Sequence, residues 1–488
     1  MQIPAEQITN LERLAPEIAL CFFGVLIMVV DPFVSAARKR SLAWLGLIGA
    51  LVALGCVRVA AWNPGPAYSD LNRVDAFSIL VHVIVIGASA LVILGSGQYL
   101  EDEGIQRGEY YALLLFATAG MGILAGANEL VTAFVGLEMS SISTYILAGF
   151  RKRAIQSNEA SLKYFILGSF ATAFFLYGIA MVYGATGTTR IDLVQMALQG
   201  LAHPPALVVL GLGLIFVGLG FKVVAAPFQI YAPDVYEGAP TPVTALLASG
   251  PKAATFALML RIFYVSFGSA SGVWFWAIWI SAVLTMSIGN LAALVQTNVK
   301  RTLAYSSIAH AGYILVAFAA STAVGIAAVL FYLAAYVMMK VGAFLVLAHL
   351  GQHGEKRLEI QDYAGLGQKQ PVLAACFSLF LLSLLGLPAT GGFLGKFFAF
   401  QAALDSRIVW LVVIAAINSV IGAYYYLRII VAMYFWEPSK EYTPTKVAPG
   451  LTVALFVAAA GTLYLGLFPA RVLGLAKTAA DSIYVSAR

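Results

Sequence analysis

A chain of 488 residues that is 61% hydrophobic and 11% charged, with mean hydropathy +0.88, cannot present an ordinary water-facing surface. Water-soluble domains carry roughly 25% charged residues, so the composition excludes a globular enzyme and points to an all-α polytopic membrane protein. The formal net charge of +6 reads as membrane topology and not as a nucleic-acid partner.

In chain order, apolar runs fall near 14–34, 41–62, 75–97, 109–126, 127–149, 161–184, 205–226, 240–267, 273–294, 301–320, 322–350, 371–403, 408–436 and 449–470, fourteen in all. A helical span needs roughly 20 apolar residues, and the ~10-residue alternating segments of a membrane β-barrel are missing. The first run is not expected to be a cleaved signal, because Glu12 precedes it, Glu17 and Asp31 lie in it, and it lacks a basic start. Cys21, Cys56 and Cys376 lie far apart in apolar runs, a spacing that supports neither a disulfide framework nor a metal or iron–sulfur site.

Of the 29 basic residues, fourteen fall in alternate connections: Arg38, Lys39, Arg40, Arg107, Arg151, Lys152, Arg153, Lys300, Arg301, Lys356, Arg357, Lys369, Lys440 and Lys446. The opposite connections and the tails hold seven: Arg13, Arg73, Arg190, Arg407, Arg471, Lys477 and Arg488. The richer set is predicted to be cytoplasmic. An even number of spans then puts both termini on the periplasmic side of a bacterial inner membrane.

Eight basic residues remain inside the spans. Arg58 and Arg261 lie near span ends, where long side chains snorkel to headgroups, and Lys163 is close to a cytoplasmic end. Lys252, Lys340 and Arg428 fall near the middle of their runs, while Lys222 and Lys396 stand beside helix breaks. A lysine at the bilayer centre costs at least ~2.5 kcal/mol and usually marks a cavity, a partner or an ion pathway. The plain alternative is an ion pair that orders the bundle, which becomes harder to sustain as the lysines multiply. Glu138 is the acid nearest a span centre, with Ser141 one turn away. A carboxylate beside a lysine favours the ammonium, and withdrawing it favours proton release. His310 follows Ser306 and Ser307 on one helix face and can relay protons; as a haem ligand it would need His82 at matching depth.

The seventh run reaches Lys222 and then Pro227, Pro233, Pro240 and Pro242. The twelfth runs through Pro388, Gly391 and Gly392 to Lys396. Proline and paired glycines break helices, and unwound backbone in a membrane belongs beside a cavity or inside protein. The two broken runs are five apart, an odd offset that reverses direction across the bilayer. Two inverted five-helix repeats are therefore expected: residues 1–107 form three leading helices, 108–270 the first repeat, 271–440 the second, and 441–488 a last helix and tail.

The segment Ala232-Pro233-Asp234-Val235-Tyr236-Glu237-Gly238-Ala239-Pro240-Thr241-Pro242-Val243 resembles the stretch after the broken seventh helix in antiporter-like membrane subunits of respiratory complex I. Lys300 to His310 resembles the tenth helix of the same family, and the resemblance runs from Pro16-Glu17 to the last helix. It implies a fifth-helix glutamate at Glu138, its partner Lys222, a central-axis lysine at Lys252 and an outer-channel residue at Lys396. Lys163, His310 and Lys340 match secondary relay positions. The long lateral helix of one sister subunit type is not expected. The implied activity is proton translocation coupled to electron transfer from NADH to quinone. NADH, FMN, iron–sulfur clusters and quinone would be handled by other subunits, since no Gly-x-Gly-x-x-Gly turn or clustered cysteine is present. The implied partners are sister membrane-arm subunits of the M and K/J types, lipid and protons. A multi-subunit cation/proton antiporter of the same fold is the alternative. Trp274, Trp276 and Trp279 read as interfacial anchors.

Overall fold

The computed structural model describes residues 4–201, 203–351, 353–438 and 444–484; Lys440 and Arg488 lie outside the described residues. The helices run α1 Ala5–Arg13, α2 Ala15–Val30, α3 Leu42–Ala60, α4 Ala76–Asp102, α5 Gly108–Gly126, α6 Leu130–Ala148, α7 Ile155–Thr186, α8 Ile191–Leu198, α9 Ala206–Lys222 and α10 Ala232–Gly238. They continue with α11 Thr241–Leu260, α12 Ser271–Leu294, α13 Val299–Ala319, α14 Ala323–Leu350, α15 Leu366–Lys369, α16 Pro371–Leu385, α17 Gly391–Asp405, α18 Val409–Phe435, α19 Pro449–Leu467 and α20 Ala470–Tyr484. A two-stranded hairpin, Gly65–Ala67 with Asn72–Val74, closes the turn between α3 and α4.

Among the described residues, twelve helices are long and apolar enough to cross a membrane. They coincide with twelve of the expected runs and make this a multi-pass membrane protein. The seventh and twelfth runs differ: each contains a shorter apolar helix, Ala206–Lys222 or Pro371–Leu385, that stops inside the run. The expected continuous stretch 371–403 is thus two pieces, α16 and α17, separated by residues 386–390. Pro388 lies in that gap, whereas Gly391 and Gly392 begin α17. Pro227 lies in the first gap, after α9 ends at Lys222.

Burial divides the helices into an inner and an outer set. α11, α13 and α14 are about nine-tenths buried along their apolar windows, against roughly a third for α2, α3 and α19. Such inner helices are surrounded by other helices on every side. α12 lies along α13, α7 along α9, and α5 along α6. Gly289 on α12 and Gly312 on α13 permit that approach, since a Cβ on either would come within 2.6 or 2.7 Å of the neighbour's backbone nitrogen. Because the spans alternate, the starts of α2, α4 and α6 meet the ends of α11 and α13 at one end of the bundle, hereafter the N-terminal end. α20, absent from the expected elements, folds back there against α4 and α14.

Candidate functional site

Lys222 is the last residue of α9, and its backbone explains its position. After it the chain turns through Val224 at φ +58°, a left-handed conformation that β-branched residues rarely adopt. The loosened backbone is held from α12: Thr285 Oγ1 accepts from the Ala226 amide (2.8 Å), and Ser281 Oγ donates to the Ala226 carbonyl (2.7 Å). Unpaired backbone groups at this depth would each be costly, so two hydroxyls on one face of α12 make the break tolerable. The buried Lys222 ammonium donates to Ser141 Oγ (2.7 Å) and Tyr145 OH (2.9 Å) on α6 and lies 4.9 Å from the Tyr145 ring centre.

The expected direct Glu138–Lys222 pair is not formed. No cation lies within ion-pair distance of Glu138 among the described residues, and its buried Oε1 has no hydrogen-bond partner. Ser141 and Tyr145, one and two turns further along α6, take its place at the ammonium. Tyr145 occupies space left by Gly168, where a side chain would collide with its hydroxyl.

The remaining interior sites line up on α13. Lys252 follows Pro251 inside α11 and donates to the Ser307 carbonyl (2.8 Å). Lys340 on α14 donates to the Leu303 carbonyl (2.8 Å) and to Ser306 Oγ (2.9 Å). Both ammoniums share the Tyr336 ring, at 5.4 and 6.0 Å. Ser306 Oγ bonds Tyr426 OH (2.5 Å), which lies 3.2 Å from His310 Nε2, and His310 Nδ1 lies 2.9 Å from Tyr332 OH. Beyond the histidine, the Tyr313 ring stands 4.7 Å from Lys396 Nζ. Leu303, Ser306/Ser307, His310 and Tyr313 recur every three or four residues, so these contacts share one helix face. Among the described residues, no hydrogen bond joins Lys222 to Lys252.

Lys396, on α17, reaches back across the second break to the Leu385 carbonyl at the end of α16 (2.9 Å) and to Ser419 Oγ on α18 (2.9 Å). The break is shaped by Gly386 at φ +99° and Ala389 at φ +68°. A cation at a helix C-terminus is favoured by the orphan carbonyls and the helix dipole.

At the end of the bundle opposite the N-terminal one, a cavity of about 410 Å³ is lined by Arg151, Glu159, Lys163, Asp234, Glu237, Arg301 and Glu355. Lys163 belongs here and not to the buried track: its side chain is 40% exposed and pairs with Glu159 (2.7 Å) and Asp234 (2.9 Å). Arg301 bridges Asp234 (2.9 Å) and Glu237 (2.6 Å). Glu355 is the hub: Lys300 (2.7 Å) and Arg151 (3.4 Å) pair with one oxygen, while Tyr99 OH (2.6 Å) and the Thr241 amide (2.8 Å) donate to the other. Burial pushes the Glu355 carboxyl up, but Lys300 and the bonds from Thr241 and Tyr99 outweigh it and hold it below the usual glutamate range. The acids of this cluster were not singled out from sequence, because charges in connections read as solvated.

Two other expectations need correction, those for Arg261 and Trp274. Arg261 does not snorkel: it is buried, pairs with Asp75 (2.9 Å) and lies over the Phe77 ring. Arg428, two turns before the end of α18, reaches the Gln296 carbonyl. Trp274 is a core residue, 3% exposed, with Nε1 donating to the Phe267 carbonyl, whereas Trp276 is exposed. His82 has both ring nitrogens engaged, by Glu17 and by the Ser78 carbonyl. Among the described residues, no group of three or more His, Cys, Asp or Glu is placed to hold a metal.

The family model described as NADH:quinone oxidoreductase/Mrp antiporter, TM, matches residues 127–422, which contain every lysine of the track and both breaks. The chain is 48% identical to NADH-quinone oxidoreductase subunit N 1 of Solibacter usitatus, over 96% of this chain and 97% of the relative. It is 45% identical to NADH-quinone oxidoreductase subunit N of Trichlorobacter lovleyi, over 98% of each. Among solved structures, a chain of respiratory complex I from Thermus thermophilus with bound aureothin superposes with TM-score 0.80 at 35% identity, covering 94% of this chain and 98% of that one. A chain of the Mrp complex from a Dietzia species superposes with TM-score 0.84 at 23% identity over 98% of each, a likeness of fold alone. The chain therefore belongs to the NADH:quinone oxidoreductase/Mrp antiporter membrane family, within its NADH-quinone oxidoreductase subunit N branch.

Proposed function

We propose that this chain is a proton-translocating membrane-arm subunit of NADH:quinone oxidoreductase, coupling electron transfer in other subunits to proton movement along its charged interior. The observation that carries the reading is the α13 face, against which Lys340, Lys252, His310 and Lys396 converge through carbonyls, hydroxyls and one aromatic ring. Among the described residues these buried ammoniums, stacked along a single helix, have no counter-ion in contact, an arrangement that favours passing protons over holding charge.

Glu138, Lys222, Lys252 and Lys396 carry the translocation, with Lys340 and His310 as secondary relays. Lys163 acts earlier, in the charged cavity from which protons enter. When Glu138 approaches Lys222 the ammonium is favoured; when it withdraws, the buried amine gives up its proton towards Lys252. Ser141 and Tyr145 offer Lys222 acceptors when Glu138 is withdrawn. The proton leaves by way of Lys396 at the second break. The gaps at Pro227 and at Pro388, with Gly391 and Gly392 starting α17, fit two inverted repeats over 108–270 and 271–440, flanked by 1–107 and 441–488.

NADH, FMN, iron–sulfur clusters and quinone belong to other subunits. M- and K/J-type neighbours cover the chain's flanks. Glu138 lies on the same stripe of α6 as the exposed Val131, Val135, Ile142 and Ile146, so an approaching subunit can move it. The membrane is the bacterial inner membrane, with both termini periplasmic. A cation/proton antiporter subunit has the same fold, but the subunit N names of the relatives and the segment 232–243 favour the oxidoreductase.

The test uses inverted membrane vesicles carrying Lys222→Ala, with complex content checked on a native gel. NADH oxidation and the NADH-driven pH gradient should fall together while the complex assembles. Wild-type levels of both in an assembled complex would refute the role of Lys222.

A further inference from the structure

A buried carboxylate–imidazole pair lies apart from the lysine track. Glu17, in the first turn of α2, sets Oε1 2.7 Å from His82 Nε2 on α4, and His82 Nδ1 lies 2.6 Å from the Ser78 carbonyl. The residues are 6% and 7% exposed, and Glu17 Oε2 is buried without a partner. Gly122 on α5 makes room for the contact: a Cβ there would lie 2.9 Å from Glu17 Oε1 and 3.0 Å from His82 Nε2.

Counting protons fixes the state of the pair. The Ser78 carbonyl can only accept, so Nδ1 carries a hydrogen. The 2.7 Å contact between Nε2 and Oε1 requires a second proton, on the ring as imidazolium or on the acid. Either way the pair is neutral overall and holds one proton more than an imidazole beside a bare carboxylate. Without that proton two lone pairs would face each other, and an uncompensated charge would sit among apolar helices.

The neighbouring groups are few. Cys21 on α2 and Cys56 on α3 are the titratable side chains near Glu17. Asp75 caps α4 through Ser78, the residue whose carbonyl holds His82. Asp75 is itself paired with Arg261, which follows directly on α11, the helix of Lys252. The Asp75 side chain is 14% exposed and stands at the N-terminal end, about 10 Å along α4 from His82; Glu17 lies in the first turn of α2 at the same end.

We propose that Glu17 and His82 form a proton-binding site, separate from the lysine track, that takes one exchangeable proton from the aqueous phase at the N-terminal end of the bundle. Its occupancy changes the local charge by one unit beside the Asp75–Arg261 pair, and so at the end of the helix that carries Lys252. The reading rests on the translocation proposed above, and one assay separates the two.

Purified native complex is reconstituted in liposomes with its NADH site outward, and coupled turnover is measured while lumenal pH is varied from about 5.5 to about 8 at fixed external pH. In the double variant Glu17→Gln, His82→Gln, two amides bond each other and neither takes up a proton. The double variant should lose one step of the lumenal profile, changing the ratio of turnover at its two extremes by about twofold or more. Superimposable profiles of assembled wild-type and double-variant complexes overturn the proposal. Should the double variant not assemble, Glu17→Gln decides: a moved midpoint supports the site and an unmoved one overturns it. Wild-type liposomes that oxidise NADH without acidifying their lumen overturn the translocation reading, and this one with it.

Discussion

Tyr426 illustrates how much of the track depends on single hydroxyls. Its OH lies 2.5 Å from Ser306 Oγ and 3.2 Å from His310 Nε2, and so joins the Lys340 site to the histidine. Tyr426→Phe keeps the ring and removes the link. The expected outcome is normal complex content with NADH-driven acidification and coupled oxidation both reduced several-fold; unchanged rates would make the hydroxyl a packing group. Tyr145→Phe is a milder change, because Lys222 retains Ser141 as an acceptor, and it should lower turnover less than Lys222→Ala does. Neither tyrosine was identified from sequence. A lysine, glutamate or histidine inside an apolar run is visible in one dimension, since burying it calls for an explanation before any neighbour is known. A tyrosine in such a run looks like any aromatic until its hydroxyl is placed. Tyr426 stands more than a hundred residues from both its partners.

The same contrast holds for the helices. Pro227, Pro388 and the glycines revealed both breaks, because those residues disturb a helix wherever they stand. What makes each break tolerable was not legible. Ser281 and Thr285 are ordinary small polar residues of α12, and nothing local indicates that they clamp both sides of Ala226. Thr285→Val removes the acceptor at nearly constant volume and leaves a buried amide unpaired, at a cost of about 1–3 kcal/mol. The Lys222 ammonium should then lose its fixed position. Thermal unfolding of the purified complex should begin earlier and coupled turnover should fall, while Ser287→Ala, on the same helix, changes both far less. Equal behaviour of the two variants would mean that the clamp does not position Lys222. α20 escaped notice for a different reason: its mixed apolar and polar pattern is too short and too polar to read as a span, and its docking site on α4 and α14 exists only in the fold.

Across the molecule, the ends of the bundle are organised by charge. The alternation of basic connections predicted one basic end, and the cavity around Arg151, Lys163 and Arg301 lies at that end. The hub was not foreseen: Glu355 ties α4 through Tyr99, the start of α11 through Thr241, α13 through Lys300 and the α6–α7 connection through Arg151. Its carboxyl is held below the usual range. The stability it contributes is therefore complete above the ordinary glutamate value and is lost as pH falls through the lowered one. Glu355→Gln leaves the Lys300 charge buried without its partner, a loss of roughly 3–5 kcal/mol at neutral pH. The melting temperature should drop markedly at pH 7, and the gap from wild type should close as the medium is acidified. A gap independent of pH would show that the residue acts through packing. The leading helices are equally bound into the whole, since α4 packs against α11, α14, α19 and α20.

Lys252, Lys340 and Lys396 each donate to a main-chain carbonyl, of Ser307, Leu303 and Leu385. Three of the five hydrogen-bond acceptors that receive these charges are consequently not encoded by any side chain. Exchanging Leu303 or Leu385 for another residue leaves the oxygen where it was, so substitution scans and comparisons of relatives pass over these acceptors. Replacing one amide by an ester, which weakens the carbonyl as an acceptor without altering the residue's identity, is the kind of chemistry that would reach them.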